Sequence, residues 1–117
     1  MTAYADVGEL AAALRVRVTA ENTDALQACL DAAAAEIDHD VDWTDPTDVP
    51  HYPEGDNRLA LLQRVNLLRG VEWWKANDAA FGVIGYSDVS GALTAPRDGF
   101  NRHAVTLTPC KQKWGLA

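Results

Sequence analysis

The stretch from Asn57 to Asn77, NRLALLQRVNLLRGVEWWKAN, limits the possible folds more than any other part of the chain. It contains no proline and two of the four tryptophans. Leu61, Val65 and Leu68 fall at helical spacing on one face. Leu67, Val71 and Trp74 fall on a second face, and Leu62 and Trp73 on a third. A helix that is apolar on several sides is expected to be buried on several sides. A chain of 117 residues offers few neighbours to cover it. The pattern therefore predicts a central helix with partners beyond its own subunit. The polar positions between the faces are mostly cationic: Arg58, Arg64, Arg69 and Lys75.

The length fits one folding unit with a modest core. An apolar content of 48% and a charged content of 23% are those of an ordinary globular protein, not a disordered one. The N-terminus MTAYADVGEL lacks a basic start and an apolar core, and no apolar run is long enough to span a bilayer. The expectation is a soluble protein without a signal peptide or membrane segment. Cys29 and Cys110 are far apart and unpatterned, which points to reduced thiols rather than a disulfide scaffold. Net charge is −7, unevenly spread. Residues 1–56 carry thirteen acids and two bases, whereas residues 57–117 carry four acids and eight bases. A chain acidic in front and basic behind can meet copies of itself through opposite potentials. The acidic total argues against a general nucleic-acid binder, which carries a basic footprint.

Before the central stretch, residues 5–16 read as a short helix. Asp6 is its cap, and Glu9 stands three residues on in capping-box spacing. RVRVT at 15–19 is too short to be more than a connection. A longer helix is expected over 20–42 with Thr19 as its cap, because Leu26, Leu30, Ala33, Ile37 and Val41 form one stripe. Cys29 widens that stripe and reads as a small buried apolar residue. WTDPTDVPHYPEGD at 43–56 has three prolines, so no regular element is expected there. Trp43 and Tyr52 are placed to pin this loop to the core, and Asp56 or Asn57 to cap the central helix. After Asn77, glycines and turn pairs accumulate, and HAVTLT at 103–108 alternates in strand fashion. The fold expected is mainly α: a small helical bundle around one long central helix over 1–79, with an extended or β-hairpin-like arm over 80–117.

No motif of the GxxxxGK[ST], GxSxG, HExxH or CxxC type occurs in the sequence. The cluster Asp38-His39-Asp40-Val41-Asp42 resembles the start of a calcium loop but lacks its glycine and closing glutamate. It reads as a solvated helix end, and no metal, cofactor or catalytic residue is nominated. The positive signals are for contact surfaces. Trp73 and Trp74 point about 100° apart on a helix, so they cannot share one narrow stripe. Trp114 stands in a short basic tail with little local core to join. The interface candidates are Arg64, Arg69, Trp73, Trp74, Phe81, Tyr86, Lys111, Lys113 and Trp114.

Four pieces in order carry a resemblance: YADVGELAAALRV; TAENTDALQACLDAAAAEID; NRLALLQRVNLLRGVEWWKAND followed at once by AAFGVIGYSD; and PCKQKWGLA. The chain resembles the head-to-tail adaptor (head–tail connector) proteins of long-tailed bacteriophages. That resemblance implies a mostly helical virion subunit assembled in the host cytoplasm into a ring, with a dodecamer expected. The ring would join the portal protein to the stopper or tail-completion protein in the phage neck. Genomic DNA would pass through the channel without sequence-specific binding, and an acidic lumen would let it slide. The competing reading is a small cytosolic helical binding or regulatory module without catalytic activity, docking a partner through its tryptophan helix.

Overall fold

The computed structural model describes residues 3–45, 47, 51–84 and 93–112, with only the backbone described at 79–84. Those residues are mainly helical, and no strand occurs among them. Helix α1 spans Val7–Leu14, α2 spans Thr23–Val41, α3 spans Asn57–Ile84 and α4 spans Asn101–Thr106. A 3-10 turn follows at Thr108–Cys110.

The local chemistry explains where the helices start and stop. Asp6 Oδ1 accepts from the Glu9 N–H at 2.8 Å, and Glu9 Oε1 accepts from the Asp6 N–H at 3.1 Å. This reciprocal box satisfies donors that no turn of helix can reach. Arg15 closes α1 in the left-handed conformation, φ 60°. Thr19 was expected to cap α2, but the helix starts later, at Thr23. Thr19 and Asn22 instead lock each other. Asn22 Oδ1 accepts from the Thr19 N–H at 2.8 Å, and Asn22 Nδ2 donates to the Arg17 carbonyl at 2.8 Å. At α3, Asp56 Oδ1 accepts from the Arg58 N–H at 2.8 Å, so Asp56 caps the helix.

Helices α2 and α3 form the main packing pair and run antiparallel. Leu26 and Leu30 join α1 and Trp74 in one core cluster. Ile37 and Val41 join Leu62 and Val65 in a second, together with Trp43 and Tyr52 of the loop. The loop is thus pinned as the sequence suggested. Each fully buried leucine or isoleucine contributes roughly 1.5–3 kcal/mol. Gly70 faces both α1 and α2. A Cβ there would stand 3.1 Å from Leu30 Cδ2 and 3.5 Å from Leu10 Cδ1.

Two expectations are corrected. The central helix does not stop at Asn77 but runs on to Ile84, in keeping with the helix propensity of Ala79 and Ala80. HAVTLT is not a strand, because Asn101–Thr106 is helical. A strand would place His103, Val105 and Leu107 on one face. Here His103 and Leu107, four apart, are buried, while Val105 is 73% exposed. Leu107 and Cys110 belong to the second core cluster. Of the stretch expected as an arm, the described residues 93–112 pack on the helical bundle. Tyr52 donates to the Cys110 carbonyl at 3.1 Å, and the Gln112 N–H donates to the Val41 carbonyl at 3.1 Å.

Candidate functional site

The polar chemistry of the subunit is concentrated along α3 on the face that the sequence reads as apolar. Leu62, Asn66, Trp73 and Asn77 form one stripe there, with Arg69 beside it. Asn66 Oδ1 accepts from the Tyr4 and Ala5 N–H groups at 2.7 and 2.8 Å, and its Nδ2 donates to the Leu30 carbonyl at 3.0 Å. Asn77 pairs with the backbone of Thr94 like a peptide group. Its Oδ1 accepts from the Thr94 N–H at 2.7 Å, and its Nδ2 donates to the Thr94 carbonyl at 2.7 Å.

Arg69 is the largest correction to the interface candidates. It is only 2% exposed and lies inside the subunit. Its guanidinium forks onto Glu36 at 2.8 and 3.0 Å, donates to Glu72 at 2.6 Å and reaches the Asp98 carbonyl at 2.9 Å. These bonds, Glu36 first, raise its pKa and keep it charged. Glu36 also accepts from Trp73 Nε1 at 2.7 Å. Glu72 Oε2 faces Arg102, and His103 Nε2 lies 3.1 Å away. Burial pushes the Glu72 carboxyl up, but hydrogen bonds from Arg69, His103 and Arg102 outweigh it and hold it below its ordinary value. Five side chains from α2, α3 and α4 thus form one charged network that fastens α4 to the bundle.

The other candidates fall in different places. Trp74 is buried in the first core cluster, and Trp73 is half-buried beside it. Arg64 is exposed on the outer face of α3. Lys111 is half-buried, with its Nζ 3.5 Å from Asp40 Oδ1. Phe81 lies in the α3 backbone, but its side chain is outside the described residues, as are Tyr86, Lys113 and Trp114.

The Asp38–Asp42 helix end is solvated at His39 and Asp42, as the sequence suggests, but not at Asp38. Asp38 Oδ1 accepts from the Tyr4 hydroxyl and from Trp43 Nε1, the latter at 2.8 Å. Burial first, then the bond to Asp38, raises the Tyr4 pKa. Trp43 in turn stacks on His51, with ring centroids 3.7 Å apart. Asp38 thus ties the N-terminal segment to the loop. Among the described residues, no group of three or more His, Cys, Asp or Glu side chains could hold a metal ion. Cys29 is fully buried, and desolvation pushes its thiol up to about 12, so it packs as the apolar residue read from sequence. Also among the described residues, no helix is long and apolar enough to cross a membrane.

No protein-family model, curated protein or solved structure matches this chain.

Sequence reasoning missed Asn66, Asn77, Glu36, Glu72 and His103 as structural groups. For the two asparagines a signal was present, since each interrupts an otherwise apolar helical stripe. For the network there was none, because Glu36 and Arg69 are 33 positions apart.

Proposed function

We propose that this chain is a structural virion subunit of the head-to-tail adaptor kind. In this reading it forms a homo-oligomeric ring that joins the portal to the stopper or tail proteins and lets DNA pass. The observation that carries the reading is the two-sided character of α3. One side is committed to the subunit core, while the other leaves Leu68 42% exposed between the exposed cations Arg64 and Lys75. A long helix with an apolar and cationic outer face suits a subunit that continues its packing in a neighbour. The four sequence pieces described above supply the particular class. The acid-rich first half supports a channel wall that repels DNA.

The test is electron microscopy of the concentrated protein, alone and mixed with portal rings of the phage whose genome encodes it. Rings that cap the portal are the expected result. A monomer or dimer that ignores the portal would overturn the reading in favour of a small cytosolic binding module.

A further inference from the structure

An open cleft of about 420 Å³ lies between α2 and α4. Helix α4 packs chiefly on α3, which leaves this gap on its α2 side. Ala35 of α2 and Ala104 of α4 line it, and their small side chains keep it wide. Phe100 adds an aromatic ring to the lining. The Glu36 and Asp40 carboxylates complete its chemistry, and no lysine or arginine lines it. Asp40 Oδ1 stands 3.5 Å from Lys111 Nζ. Asp40 Oδ2 is buried and has no hydrogen-bond partner among the described residues. An apolar slot beside a carboxylate that lacks a donor suits a flat ring carrying one N–H.

The chain itself leads toward the cleft. Lys111 reaches Asp40, and the Gln112 N–H donates to the Val41 carbonyl at 3.1 Å. Both contacts hold the backbone at the end of α2 that borders the cleft. Trp114 follows two positions later, and two residues of chain span at most about 7 Å. Lys113 lies between, so a cationic segment approaches the acid-rich helix end at Asp38, Asp40 and Asp42.

We infer that residues 113–117 fold back on their own subunit and that Trp114 fills the cleft between α2 and α4. The indole rests on Ala35 and Ala104 beside Phe100, and its Nε1 donates to Asp40. The tail thereby straps α4 to α2. The occupant is the chain's own tail because Lys111 and Gln112 already hold it there. A tether this short gives an effective concentration on the order of millimolar or more, which a second copy's tail does not match in dilute solution. The inference concerns the free subunit and does not rest on the adaptor reading.

The experiment is fluorine NMR of the full-length protein labelled with fluorotryptophan, over a dilution series. The four tryptophans give four resonances, and Trp114→Phe assigns one by removing it. The Trp114 resonance should show the small shift between light and heavy water of a buried ring, at every dilution. Ala35→Phe fills the cleft at an exposed position. In that variant the Trp114 resonance should move to the solvent-exposed position and gain the full isotope shift, while the other three keep theirs. Circular dichroism checks that the variant is folded. Should it not be, Ala104→Leu fills the same cleft from α4. A wild-type Trp114 resonance with the full isotope shift overturns the proposal, as does one that the cleft-filling variant leaves unmoved. Protection that disappears on dilution also overturns it, because the ring would then belong to a second copy.

Discussion

The Asn66 carboxamide serves three backbone groups on two other segments and is fully buried. Asn66→Ala leaves the Tyr4 and Ala5 donors and the Leu30 acceptor without their partner. Each buried orphan costs about 1–3 kcal/mol, so three of them predict a loss of at least roughly 3 kcal/mol in urea denaturation. A loss under about 1 kcal/mol would show that the segment at Tyr4 contributes little to the fold. Arg69 makes a different demand. Lysine keeps the charge but cannot fork onto Glu36 while also reaching Glu72 and the Asp98 carbonyl. Arg69→Lys should destabilise by about 1–3 kcal/mol, and Arg69→Met by more, because it strands two carboxylates. At this scale the sequence was legible where the partner is near. Asp6 and Glu9 announce their box, and Cys29 its burial. It was not legible where the partner is thirty or more positions away, because no local pattern says which carboxylate a buried arginine will meet.

Helix α4 is held in part by Glu72, through Arg102 and His103, and that makes its docking sensitive to acid. The folded-state pKa of Glu72 lies below the ordinary value of 4.5. Its ion pairs therefore stabilise the fold fully above about pH 4.5 and lose that contribution as pH falls through the lower folded value. Glu72→Gln should reduce stability at neutral pH, and the gap to the wild type should close as the pH falls below the ordinary carboxylate range. A gap independent of pH would mean that the carboxylate charge is not what holds α4. Truncation separates the elements further. Ending the chain after Thr108 removes the buried Cys110 and its bond from Tyr52. That truncation should lower the melting temperature by roughly 5–10 °C, in line with about 1–2 kcal/mol for a domain of this size. The stripes of α2 and α3 were readable because each repeats apolar positions at the helical period over several turns. Helix α4 was misread because six residues are too few to separate a period of 2 from one of 3.6. Its β-branched Val105 and Thr106 tipped the balance toward a strand.

At the level of the whole molecule, the mainly helical bundle around a central helix was legible, while the way its chain ends are fastened was not. Those fastenings have a consequence for how fast the subunit folds. The bonds from Asn66 to Tyr4 and from Tyr52 to Cys110 span 62 and 58 positions, whereas α2 and α3 are consecutive helices joined through residues 42–56. Contacts of long sequence separation require the intervening chain to be in place first. The α2–α3 pair is therefore expected to form the folding nucleus, and both chain ends to close after the barrier is crossed. In stopped-flow measurements, Asn66→Ala should speed unfolding by an amount that accounts for nearly all of its stability loss, leaving the refolding rate almost unchanged. Val65→Ala, in the α2–α3 core, should slow refolding instead. If Asn66→Ala slows refolding as much as Val65→Ala does, the ends are already fastened at the barrier. A subunit that closes its ends last would spend its final folding step with the α2–α3 pair formed and both termini still open.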